Sequence, residues 1–208
     1  MFGLLGLLVA FTFSGAATRF DRRRQLIVEG INAIGTAYLR VDLVPAAAQP
    51  ALRARFRQYV EARLAAYRQL PDIAAAQAEE TRATQLQGDI WRQAVAACQE
   101  AGVQHVTMLL LPALNAMINI TTTRTLATRM HPPTTIFGML FGLALASALL
   151  AGYGMAGTQS HRWLHMLAFA AVIAIVVYVI LDLEFPRLGL IRFQAFDQAL
   201  VELRKSMQ

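Results

Sequence analysis

Two uncharged runs, Ile136–Ala156 (IFGMLFGLALASALLAGYGMA) and Trp163–Leu181 (WLHMLAFAAVIAIVVYVIL), are separated only by the polar turn Gly157–Arg162 and are entered through Met130-His-Pro-Pro-Thr-Thr135. Each run is about 20 residues, which at about 1.5 Å of rise per helical residue covers the roughly 30 Å hydrocarbon core of a bilayer. A turn this short leaves no room for a domain, so the two helices must cross the membrane and lie against each other as a hairpin. Pro132 and Pro133 mark its start, because proline is tolerated in the first helical turn and disrupts later ones.

Working outward, the composition fits a chain that is partly membrane and partly not. Of 208 residues, 56% are hydrophobic, and the mean hydropathy is +0.44; both are too high for an ordinary soluble domain. The net charge of +6 rests on 18 Arg and one Lys, Lys205, clustered beside and between the apolar segments. Such placement reads as topology signals and contacts with anionic lipid. A nucleic-acid partner is not expected, since no recognition motif accompanies the basic residues. Cys98 is the single cysteine, which excludes an intrachain disulfide and fits a reducing cytoplasm.

Met1–Ala17 is apolar apart from Thr12 and Ser14, and Arg19, Asp21, Arg22, Arg23 and Arg24 follow directly. A cleaved signal peptide competes with a retained helix here, but there is no basic n-region and the arginines would have to be translocated. The retained helix is therefore expected as the first membrane span, residues 1–17. The same arginines orient the chain, because short flanks rich in Lys and Arg stay cytoplasmic. This places 18–132 inside as a helical region, 133–182 as the transmembrane hairpin and 183–208 inside as a tail. The expected fold is an all-α, multi-pass integral membrane protein with three spans.

The region 18–132 reads as helices throughout. Ile27, Ile31, Ile34, Tyr38 and Val41 form one apolar stripe at spacings of four and three. Pro45 and Pro50 bracket a link to the next helix. There Leu52, Phe56, Tyr59, Val60, Leu64 and Tyr67 alternate with Arg53, Arg55, Arg57, Arg63 and Arg68, read as an amphipathic helix with a basic face. Pro71-Asp72 starts a third helix running to Ala101. The segment 103–130 has an uncharged core read as about 14 residues, too short to span a bilayer and typical of a buried or interfacial helix. A short helix follows Gln194.

No catalytic set emerges, so an enzyme is not expected: no serine has a base and an orienting partner nearby, no glycine-rich phosphate loop occurs, and Cys98 lacks a neighbouring histidine. His161 and His165 stand four apart, yet no carboxylate or cysteine completes a metal shell, so no metal or other cofactor is expected. Asn115 and Asn119 lie one turn apart in an apolar helix, with Thr122 and Thr123 continuing the face. They suit either a water-filled path or hydrogen bonds between packed helices. Glu29 and Asn32, just past the arginine cluster, pose the same choice between a pore-lining ring and an intersubunit contact. Gly142, Ala146 and Gly152–Gly154 read as small residues at helix contacts. Asp182, Glu184, Arg187 and Arg192 form a juxtamembrane charge cluster, in which Asp182 or Glu184 is expected to pair with an arginine of the 19–24 group.

The runs Ala10–Ala17, Arg19–Leu26 and Asn32–Arg40, the pair Pro132-Pro133 and the tail Asp182-x-Glu184-Phe185-Pro186-Arg187-x-Gly189-Leu190-Ile191-Arg192 resemble the bacterial bestrophin-like membrane family, formerly a domain of unknown function. The resemblance covers nearly the whole chain. It departs in two places: family members commonly carry a further span upstream, which implies one before Met1, and an acidic residue where this chain has Gly30. The resemblance implies kinship with homo-oligomeric anion channels, hence a lipid-embedded homo-oligomer acting on inorganic anions, with Glu29, Asn32, Asn115 and Asn119 as pore-lining candidates. The competing class is a non-conducting membrane-anchored assembly or signalling protein.

Overall fold

The computed structural model describes residues 2–69, 72–154, 162–185 and 194–207, with the side chains of 129, 154, 162, 163, 165 and 194–197 excepted. The elements are α1 (Phe2–Leu39), a 3-10 turn (Arg40–Leu43), α2 (Gln49–Arg68), α3 (Ile73–Ala101), α4 (Gln104–Arg129), α5 (Thr134–Gly154), α6 (Arg162–Glu184) and α7 (Gln194–Ser206). No strand occurs among the described residues.

Local chemistry explains the boundaries. Val44, held extended at ψ 163° ahead of Pro45, stops the first helical run. Pro50 sits in the opening turn of α2, where its missing N–H is not needed. Asp72 caps α3 by accepting a hydrogen bond from the Ala75 N–H at 3.1 Å. Gly102, at φ 64°, takes the left-handed conformation that ends α3, so this glycine does break the helical run.

The chain forms two compact units, Met1–Arg22 with Arg129–Ile191 and Arg23–Thr128 with Arg192–Gln208. In the first unit the beginning of α1 packs with α5 and α6 through Leu5, Ala16, Leu140, Val177, Ile180 and Leu183, and Phe2 meets Phe169 edge to face at 5.8 Å. Outside these contacts the helices keep their apolar side chains exposed, among them Leu145, Leu149, Ile175 and Tyr178. A helix apolar on every side is the form that lipid selects. Among the described residues nothing comes within 4 Å of a Cβ built at Gly142 or at Gly152, so neither sits at a helix contact among them. Among the described residues the fully buried small side chains of this unit are Ala16 and Ser147.

In the second unit α2 is the central helix, packed chiefly against α3 and also against α7. Its core joins Ile34, Tyr38, Phe56, Tyr59, Val60, Ile90, Leu110, Leu114 and Met117. α1 and α4 run antiparallel here: Arg23 donates to the Ala127 carbonyl at 3.2 Å, Gly30 faces Ile120, and Arg40 donates to the Leu109 carbonyl. The paired numbers sum to about 150 each time, the mark of one register held over about five turns.

Among the described residues four helices, one more than the three spans expected, are long and apolar enough to cross a membrane: Phe2–Leu43, Gln104–Thr128, Thr134–Tyr153 and Met166–Glu184. The addition is α4. Its uncharged stretch was read too short because the asparagines and threonines near its end are polar without being charged, and Pro112 is accommodated inside the helix.

Candidate functional site

In the first unit α6 ends on Glu184, whose side chain is fully shielded from solvent. Arg19, five turns into α1, donates from Nε to Glu184 Oε2 at 2.9 Å. His131, ahead of α5, places Nδ1 3.0 Å from Oε1 and stacks on Phe185 with ring centroids 4.9 Å apart. The carboxylate is therefore gripped on both oxygens by groups from different segments, and Asp182 is buried two residues earlier. The pairing expected between Glu184 and the arginine cluster is present, and His131 is the partner that sequence reasoning missed. A signal existed: the hairpin returns His131 and Glu184 to the same end. Arg187 and Arg192 lie outside the described residues, as does His161, and the His165 side chain is likewise not described.

Glu29 and Asn32 on α1, and Asn115 and Asn119 on α4, are all exposed. On α4 the uncovered face continues through Met108, Pro112, Asn115, Asn119, Thr122 and Leu126, a helical stripe at spacings of three and four. The structure thus assigns these asparagines to a surface that no described part of the second unit covers. Among the described residues no side-chain hydrogen bond joins them to another helix of the same unit.

The polar contacts inside the second unit fall elsewhere. Gln87 Nε2 donates to the Tyr59 hydroxyl at 3.0 Å and to Thr121 Oγ1 at 3.1 Å, linking α3, α2 and α4. Thr121 passes its own proton to the Met117 carbonyl at 3.0 Å. Nearby, Arg63 is buried, with 6% of its surface exposed; it donates to the Tyr67 hydroxyl at 3.2 Å, while the Arg124 guanidinium lies 4.9 Å over the Tyr67 ring. Arg63 does not belong to the basic face expected for α2. It falls at i+4 from Tyr59 and at i−4 from Tyr67, on the stripe that the helix buries, and that spacing was readable. The solvent-side arginines behave as expected: Arg53 pairs with Asp42 and donates to the Tyr38 hydroxyl at 3.1 Å. That hydrogen bond, ahead of the opposing effect of burial, raises the Arg53 pKa, so it stays charged at any physiological pH. Arg204 of α7 holds Glu61 of α2 at 2.6 Å.

Among the described residues no three His, Cys, Asp or Glu side chains gather as a metal set. A bestrophin-like domain model matches residues 3–194. No curated protein and no solved structure matches the chain. A domain match over that length, on an all-helical chain with four helices fit to span a bilayer, shows that the protein belongs to the bestrophin-like family and is a membrane protein.

Proposed function

We propose that the protein is a homo-oligomeric, multi-pass ion channel of the bacterial inner membrane. Anion preference enters by analogy with the family name and agrees with the net charge of +6. The observation that carries the reading is the exposed stripe of Asn115 and Asn119 on α4, a helix apolar enough to cross a membrane. Amides left uncovered on an apolar helix suit a water-lined path or contacts with further copies of the chain, and one chain cannot enclose such a path with so few helices. Symmetric copies, each turning this face and Glu29 and Asn32 toward a common axis, would supply the path. The role is non-catalytic and uses no cofactor, and the partners are lipid, further copies of the chain and small inorganic anions, with no nucleic acid.

The test is chloride flux from liposomes containing the purified protein, with stoichiometry read by native mass spectrometry. Asn119→Cys in a Cys98→Ser background should become blockable by a positively charged thiol reagent. A monomer or two-fold dimer that passes no ion would favour the non-conducting membrane-anchored assembly instead.

A further inference from the structure

Residues 130–133, which lead into α5 in the first unit, belong to no helix. Pro132 and Pro133 lack backbone donors, so the main chain offers little to fasten this stretch. His131 fastens it with two contacts. Its Nδ1 lies 3.0 Å from Glu184 Oε1, and its ring stacks on Phe185 with 4.9 Å between centroids and 27° between planes. The Glu184 side chain is fully shielded, while that of His131 keeps 37% of its surface exposed, so water reaches the ring but not the carboxylate. With Arg19 donating to the other oxygen, Glu184 is the acceptor; Nδ1 carries the hydrogen of the contact, and Nε2 is the nitrogen left to gain a proton. Imidazole is the side chain whose charge ordinarily changes between about pH 5 and 8.

We infer that this contact is a proton-operated latch: it holds the entry to α5 firmly against the exit of α6 when the His131 ring is doubly protonated, and slackens when the ring is neutral. Two effects carry the same sign. The charged ring adds Coulomb attraction to a hydrogen bond made with a carboxylate out of water, and a cation is favoured over an aromatic face such as that of Phe185. Arg19 repels the charged ring, but it sits on the far oxygen and acts over a longer distance than the attraction. Of the other charged groups on the packed elements, Asp21 and Arg22 on α1 carry opposite charges, and Asp182 on α6, which is buried, shares the sign of Glu184. α5 brings no charge at all from Thr134 to Gly154. The side chains of Arg129 and Arg187 lie outside the described residues. The latch therefore contributes fully at the acid end of the range and fades as pH rises. It goes beyond the pore reading and does not rest on it, since a latch of this kind is detectable in a protein that conducts nothing.

The experiment follows thermal melting of the full-length protein in detergent from about pH 5.5 to 8.5 at constant ionic strength. The comparison is His131→Asn, whose amide can donate to Glu184 at every pH but gains no proton. The wild type should melt about 2–4 °C above the variant at the acid end, the size of gap one charge-assisted contact makes in a chain of this length, and the gap should close as pH rises. Hydrogen exchange reads the latch locally, through the Ile136 N–H bonded to the Pro133 carbonyl and the Phe185 N–H bonded to the Leu181 carbonyl, both at 2.9 Å. After correction for the intrinsic effect of pH, both amides should be better protected at acid pH in the wild type and not in His131→Asn. Wild-type exchange decides the matter if the variant does not fold. A melting gap that is the same at every pH shows His131 to be a structural contact alone and overturns the latch. So does a gap that widens with rising pH, or corrected protection that stays constant with pH in the wild type. Ion flux enters none of these readings, so their failure leaves the pore reading standing.

Discussion

Glu184 shows how one buried charge can organise a junction. Removing Arg19 would take a cation away from a shielded carboxylate, whereas removing both charges leaves nothing to solvate. Since Arg19 is one-third exposed, Arg19→Ala should cost about 1–3 kcal/mol rather than the larger loss of a wholly buried pair. The swap Arg19→Glu with Glu184→Arg should recover part of the loss of either single change, and additive losses in thermal melts would show the pair to be uncoupled. Ser147 is the opposite case. It is fully buried, and its hydroxyl has no hydrogen-bond partner among the described residues. Ser147→Ala removes an unsatisfied polar group at nearly constant volume and should raise stability by about 1 kcal/mol. A lower melting temperature in that variant would mean that the hydroxyl is in fact satisfied.

The helices themselves were legible in the sequence because their punctuation is local: Pro50, Asp72 and the proline pair before α5 act on the residues beside them. What the sequence did not reveal was which face of each helix a neighbour would take. Arg63 looks basic by composition and is buried by phase, and α4 looks short only if amides and hydroxyls are counted as interruptions. His131 and Glu184 are 53 residues apart, so their meeting depends on the hairpin as a whole. α4 also contains a device that neither propensity nor pattern exposes. Pro112 removes the N–H that would meet the Met108 carbonyl, and beside that orphaned group Arg40 donates to the Leu109 carbonyl. Arg40→Met should destabilise by about 0.5–1.5 kcal/mol in thermal melts, and by as much in a Pro112→Ala background, because the carbonyl that Arg40 meets is not the one the proline orphans. A smaller loss in the Pro112→Ala background would couple the arginine to the proline.

At the scale of the whole molecule, four helices qualify as spans, and whether α4 crosses decides which side the C-terminal helix occupies. If α1, α4, α5 and α6 all crossed, the arginines after the first apolar run would stand on one side and the end of α6 on the other. Glu184 and Arg19 would then lie a bilayer core apart, about 30 Å, yet they are 2.9 Å apart. Crossing by α1, α5 and α6 alone returns Glu184 to the side of Arg19, with His131 ahead of α5 beside it. It also keeps the basic flanks on one side, which the positive-inside rule predicts to be cytoplasmic. α4, meanwhile, runs beside the portion of α1 that follows the arginine cluster, which suits a helix whose exposed stripe meets other copies or water rather than lipid. A reporter fused after Gln208 should therefore read cytoplasmic, and a cysteine at Thr158 in a Cys98→Ser background should react with an impermeant reagent from outside. External labelling at Arg92 would reverse the orientation. Cytoplasmic labelling at Thr158 and an external C-terminus, with Arg92 still internal, would place α4 in the bilayer and require the Arg19–Glu184 pair to be absent in the membrane.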